Sequence, residues 1–433
     1  MNNMNLKKII SIICLFGLLG SLYSAERKFV KGREVIFGSK GLPYGFETAL
    51  PEIHGFITSQ YWQADRYIQN AYANADNLDA GHYSPGESCF DPHSAYIDII
   101  SEITQHFLAE VEFELYHGSG YDSVGNVKAG AIRGLWHKYP FLNVSIGRQM
   151  VLLGSQEKIY YPSSKYRLFT WQDPLTEKFL RFTGWWDTGL AILGVVPISD
   201  TGMYIEYGVM ISNGPGSNEK KKTDSGSMLG LDTTKGVMNK DGYVYEMFMN
   251  GLRQRLDNNN DKPISWRLGF SPIEGLLLRG EGMAGKYDTN DKYGFNFLTA
   301  ELFYTLGGLD VVGQYGQLKF EAPKDTAANY IWPGGEVKQM AYAVGIGYKV
   351  INKKLGINYL QPVARFSYIN PNVEPPEEVK QYKSYGERYI YDVGINFSPW
   401  EHVIFKAAYR WQNEITGHEI PNNGFTMEAL YDF

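Results

Sequence analysis

The last ten residues, Gly424-Phe425-Thr426-Met427-Glu428-Ala429-Leu430-Tyr431-Asp432-Phe433, place an apolar or small side chain at every second position and finish on Phe433. A period of two is the repeat of a strand whose successive side chains point to opposite faces. The same beat recurs upstream. Val403, Phe405, Ala407, Tyr409 and Trp411 alternate with Lys406, Ala408 and Arg410, and Phe107, Ala109, Val111, Phe113 and Leu115 alternate with Glu110, Glu112 and Glu114. Met340, Tyr342, Val344, Ile346 and Tyr348 alternate with Ala341, Ala343, Gly345 and Gly347, so this strand has one apolar face and one that is almost bare. Strands that are greasy on one side and polar on the other suit a barrel wall between lipid and water.

Composition points the same way. The 433 residues are 44% hydrophobic, 15% aromatic and 20% charged, which is too apolar for a disordered chain. Glycine outnumbers proline 47 to 19, a balance that favours many strands joined by tight turns and hence an all-β fold. Two cysteines exclude a disulfide scaffold, and a formal net charge of -6 excludes nucleic acid as the main partner, because phosphate binding needs a basic face. A mean hydropathy of -0.30 is what a wall apolar at only every second position produces. After residue 25 there is no run of about eighteen apolar residues, so a helical membrane protein is excluded.

Lys7 and Lys8, the apolar run from Ile9 to Leu22, and the small residues Ser21, Ser24 and Ala25 follow the order of a secretory signal peptide. Residues 1–25 are therefore expected to be a cleaved signal. Residues 26–51 are expected to form an N-terminal periplasmic segment made basic by Lys28, Lys31, Arg33 and Lys40, and residues 52–433 a transmembrane β-barrel in a Gram-negative outer membrane. Cys14 leaves with the signal and Cys89 stays.

Spanning strands are expected near 52–61, 93–102, 106–117, 127–136, 141–149, 187–196, 202–212, 263–270, 275–285, 293–304, 308–319, 337–349, 358–369, 386–397, 401–412 and 423–433. This is a barrel of about sixteen antiparallel strands with both chain ends on one side. Tyr243 to Arg255 could add a strand, but an odd count would separate the ends, so 213–262 is read as one outer loop. Long connections at 62–92, 150–186, 213–262, 320–336 and 370–385 face short ones at the other rim, the asymmetry of long extracellular loops and short periplasmic turns. Phe270-Ser271-Pro272-Ile273-Glu274 returns as Phe397-Ser398-Pro399-Trp400-Glu401, both at expected inner turns.

A charge facing lipid at the bilayer midplane costs roughly 2–4 kcal/mol, so mid-strand charges belong in the lumen. Asp98, Glu110, Glu112, Glu114 and Glu206 are read as pore-lining acids on the early strands. Arg267, Arg279, Arg365, Lys406 and Arg410 are read as pore-lining bases on the later ones, with Glu281, Glu301, Asp310 and Asp392 interspersed. Two such walls would set up a field across the channel; the bland reading is that the charges pair and brace a filled lumen. The loop 150–186 combines Tyr160, Tyr161, Tyr166, Phe169, Trp171, Trp185 and Trp186 with Lys158, Lys165, Arg167, Lys178 and Arg181. A segment this aromatic is expected either to fold into the barrel as the constriction or to pack at the rim or a subunit interface.

Several short stretches, taken in order, resemble Gram-negative outer-membrane porins, specifically the phosphate-selective porin O and P group. They are Gly147-Arg148-Gln149, Thr188-Gly189 with Gly194, Tyr207-Gly208 with Asn213-Gly214, Arg267-Leu268-Gly269-Phe270-Ser271-Pro272, Val363-Ala364-Arg365-Phe366, Asn396-Phe397-Ser398-Pro399 and the terminal Phe433. The resemblance implies a sixteen-stranded, water-filled, typically trimeric channel passing small anionic or polar solutes. Its phosphate-selective members are expected to line the pore with lysine or arginine. The Glu110, Glu112, Glu114 ladder departs from that pattern, so general diffusion or cation preference stays open.

Other chemistry finds less support. A hydrolase would need a nucleophile and a base about 3 Å apart; the eight histidines, His54, His106, His117 and His402 among them, nominate neither, and no enzymatic activity is expected. His82, Cys89, Asp91 and His93 could ligate a soft metal, and Asp257 to Asp261 begins like a calcium loop, but neither completes a common site, so no metal or other cofactor is expected. The alternatives to a porin are a substrate-specific or energised transporter, for which the roughly 27 residues from Glu26 to Glu52 are too few to form a large plug domain, and a structural barrel that sleeves a partner protein.

Overall fold

The computed structural model describes residues 52–64, 88–104, 106–116, 126–139, 141–159, 161, 164–170, 186–199, 202–214, 227–228, 231–232, 260–287, 291–325, 332–350, 356–374, 387–415 and 423–433. The expected signal peptide, the segment 26–51 and the stretch Tyr243 to Arg255 lie outside them. The strands are β1 (Glu52–Ala64), β2 (Ser88–Thr104), β3 (Phe107–Tyr116), β4 (Asn126–Tyr139), β5 (Leu142–Met150), β6 (Trp186–Pro197) and β7 (Tyr204–Ser212). A short hairpin, β8 (Ser227–Met228) and β9 (Leu231–Asp232), follows. The rest are β10 (Ile264–Ser271), β11 (Leu276–Lys286), β12 (Gly294–Leu306), β13 (Leu309–Asp325), β14 (Trp332–Tyr348), β15 (Tyr359–Glu374), β16 (Arg388–Ser398), β17 (Val403–Glu414) and β18 (Gly424–Asp432).

All but the hairpin strands close into one antiparallel barrel, β7 pairing with β10 and β18 with β1, which makes sixteen staves. Each expected span falls on one stave, and the differences lie at the ends. β2 begins at Ser88, so Cys89, Asp91 and His93 are strand residues and not members of a loop cluster. β13, β14 and β15 run on into the stretches expected as loops at 320–336 and 370–385. Outward ion pairs accompany the extended ladder, Lys319 with Glu336 and Lys338 with Glu374, both at 3.1 Å.

The period-two pattern sorts side chains as the sequence demands. On β10, Ile264, Trp266, Leu268 and Phe270 are 40–58% exposed, whereas Ser265, Arg267 and Ser271 are at most 7% exposed. An outer face this apolar is costly in water at about 25 cal/mol per Å² and is matched by lipid. Among the described residues no helix is long and apolar enough to cross a membrane; the crossing elements are strands.

The seam is made by the C-terminal strand, which pairs with β1. Phe433 and Gly55 exchange backbone hydrogen bonds of 2.9 Å in both directions, and a side chain at Gly55 would begin 2.6 Å from the Phe433 ring. The repeated turn sequence is also a repeated structure. Ser271 Oγ donates to the Ile273 carbonyl, as Ser398 Oγ donates to the Trp400 carbonyl. The next residue but one has a left-handed backbone in each copy, Gly275 with φ 85° and His402 with φ 70°. His402 tolerates that conformation while its ring meets Asp432 Oδ1 at 3.0 Å.

Candidate functional site: the barrel interior

Beyond Met150 the chain turns into the barrel through two left-handed residues, Gly154 (φ 67°) and Ser155 (φ 46°), and makes one helical turn, α1 (Gln156–Ile159). The described part of the segment up to Thr170 is buried along most of its length; Leu153 and Phe169 are at most 1% exposed. It touches three parts of the wall.

At β10 to β12 the contact is electrostatic. Arg267 Nη2 donates to Glu157 Oε2 at 2.8 Å, and Arg279 Nη1 donates to Glu157 Oε1 and to Ser155 Oγ. Arg267 also pairs with Glu281, and Arg279 with Glu206. The Ser155 backbone N–H donates to Glu281 Oε2 at 2.8 Å and its hydroxyl to Glu301 Oε2 at 3.2 Å. Burial pushes the Glu157 carboxyl up, but the guanidiniums of Arg267 and Arg279 outweigh it and hold the group well below the usual carboxylate range.

Against β1 to β3, Tyr161 lies edge-on to Phe56 and Tyr96, and its hydroxyl donates to Glu112 Oε2 at 2.8 Å. Burial, and then the carboxylates of Glu112, Asp98 and Glu110, push that hydroxyl's pKa well above its ordinary value. Asp98, Glu110 and Glu112 bring carboxylate oxygens within 4.8 Å of one another, close enough to share a cation; the Arg133 guanidinium, paired with Glu110, supplies one positive charge there.

Toward β14 to β17 the contact is one of shape. The bare face of β14 receives Leu168 and Phe169: a side chain added at Gly345 would begin 3.2 Å from Leu168 Cδ1. Leu168 and Phe169 form a buried cluster with Val363 and Ala408. Lys406 Nζ donates to the Arg167 carbonyl and Asn396 Nδ2 to the Leu168 carbonyl, each at 3.0 Å. Arg365 stacks over Phe169, its Cζ 4.8 Å from the ring centre, and shares Asp392 with Arg410.

The interior therefore collects Asp98, Glu110, Glu112, Glu206, Arg267, Arg279, Arg365, Lys406 and Arg410, all buried or nearly so. Glu114 stands on β3 opposite Tyr96 and Lys128 in the ladder. From the inward segment, Lys158 and Arg167 are buried, while Lys165 is exposed with its Nζ 4.9 Å above the Tyr166 ring. Lys178 and Arg181 lie outside the described residues. Acids and bases do not stand as two separate walls: Glu206 is joined to Arg279, Asp392 to Arg365 and Arg410, and Glu428 to Lys406 at 3.5 Å. Sequence reasoning did not single out Arg133, which its place opposite Glu110 in the β3–β4 register could have revealed, or Glu157, whose partners lie over a hundred residues away and leave no local signal.

No family model matches the chain, and no curated protein matches it in sequence. Solved structures do. The chain is similar to the outer membrane channel DcaP of Acinetobacter baumannii, with a TM-score of 0.56 at 10% identity over 90% of this chain and 99% of that one. It is similar to an anion-selective porin from Comamonas acidovorans, with a TM-score of 0.52 at 11% identity over 88% and 99%. It is also similar to Salmonella typhi OmpF in complex with daunomycin, with a TM-score of 0.51 at 9% identity over 88% and 97%. At such identities the likeness is one of fold, and the fold is the sixteen-stranded barrel of outer-membrane porins.

Proposed function

We propose that the protein is an outer-membrane porin, exported by its N-terminal signal and assembled as a homotrimer, through which small hydrophilic or ionic solutes diffuse passively. The observation that carries this reading is a closed barrel, apolar outside and charged inside, with a segment of its own chain folded across the interior. Such a segment narrows a lumen that sixteen staves would otherwise leave wide. Anions such as phosphate are the solute class suggested by the porin O and P resemblance. The anion-selective porin among the structurally similar proteins agrees with it at the level of fold.

The test is planar-bilayer conductance of the purified, refolded protein, first in a potassium chloride gradient and then in phosphate. Stable steps, in groups of three for a trimer, are the expected result. A folded barrel that stays silent in both salts would overturn the porin reading in favour of a plugged or sleeve-like barrel.

A further inference from the structure

The two sides of the interior that the inward segment covers differ in what they leave open. On the β2–β3 side the acids are sealed. Asp98 and Glu112 are 0% exposed, and Tyr161, Phe56 and Tyr96 pack over them. On the β13–β15 side a cavity of about 20 Å³, room for one or two water-sized species, remains between Leu168 and Phe169 of the segment and Gln314, Ala343, Gly345 and Arg365 of the wall. It exists because the wall there carries almost no side chain: Ala343 and Gly345 face inward where neighbouring strands present large groups.

The charge at this gap is positive. Arg167 and Arg365 line it, and Lys406 and Arg410 join them through the Arg167 carbonyl and Asp392; with Asp392 and Glu428 the connected group holds four cations to two carboxylates, and Asp392 alone serves both Arg365 and Arg410. The Arg365 guanidinium sits over the Phe169 ring and borders the cavity directly. A small anion passing there gains from the surplus charge, whereas a cation would approach it against that field.

Resting on the porin reading, we propose that this gap is the channel's narrowing, with Arg365 as the residue that makes it prefer small inorganic anions and Gly345 with Ala343 as the residues that set its bore. The acidic group on β2 and β3 is a structural anchor of the segment and does not set ion preference.

The experiment is single-channel recording of the full-length protein in a tenfold potassium chloride gradient. Wild type is expected to reverse on the chloride side. Arg365→Gln should bring the reversal potential close to zero, and Glu112→Gln, on the anchoring side, should move it less than Arg365→Gln does. Gly345→Val should cut conductance several-fold, and Ala343→Val, which carries no glycine-specific strain, should do the same if Gly345→Val fails to fold. Steps that persist with cation preference, or with a reversal potential moved by Glu112→Gln and not by Arg365→Gln, would overturn the assignment of the gap while leaving the porin reading intact. Unchanged conductance in the folded valine variants would overturn it equally. Silence of the wild-type protein itself would instead remove the porin reading.

Discussion

The wall at β10 to β12 and the wall at β14 to β17 hold the same segment by different means. The first uses charge: two arginines converge on Glu157, and Ser155 bridges Glu281 and Glu301. The second uses absence: Ala343 and Gly345 leave a hollow beside which Leu168 and Phe169 fit, with backbone carbonyls tied to Lys406 and Asn396. Directional ion pairs fix where the segment sits. Apolar fit fills what space is left and leaves a small gap. The difference teaches that position and bore can be set by separate parts of one interior.

The largest effect should come from breaking the charged side. Arg279→Met strips the buried Glu206 of its paired guanidinium and leaves Glu157 with Arg267 alone, and removing one partner of a buried pair costs about 3–5 kcal/mol. Urea unfolding in lipid vesicles should show it. On the fitted side, Leu168→Ala should cost less, about 2–3 kcal/mol, because the neighbouring cavity lets the site relax; the same unfolding assay reads it.

Acid separates the two sides further. The Glu157 carboxyl has a lower pKa folded than unfolded, so its contribution is complete above the ordinary value of 4.5 and is lost as pH falls through the folded value. The stability margin of wild type over Glu157→Gln should stay constant from neutral pH to about pH 5 and shrink only below the ordinary carboxylate range, whereas the Leu168→Ala deficit should not follow pH. The smallest effect is expected outside both walls. His402→Gly removes a left-handed non-glycine residue and also the Asp432 contact, two changes of opposite sign that should leave stability within about 1 kcal/mol of wild type.

The shell was legible in the sequence because alternation is local. Every stave could be placed from residues within about ten positions of one another, and the terminal run ending at Phe433 gave the inward and outward faces of β18 correctly. The bare face of β14 was visible too, but not its occupant. What remained out of reach depended on distance along the chain. Glu157 meets Arg267 and Arg279 across more than a hundred residues, and no periodicity encodes which wall a loop will choose. Interior pairs such as Arg365–Asp392–Arg410 and Lys406–Glu428 join direct partners in the strand register, whereas the Glu206–Arg279 contact passes over β10 between two staves that are not neighbours and was hidden.

The most direct test of the account is a comparison of single-channel conductance between the wild-type protein and a variant in which residues 156–168 are replaced by a short glycine-serine linker. If the inward segment sets the bore, the variant should conduct several-fold more than wild type and lose ion preference. Equal conductance from a folded variant barrel would contradict the account, because the segment would then not stand in the path.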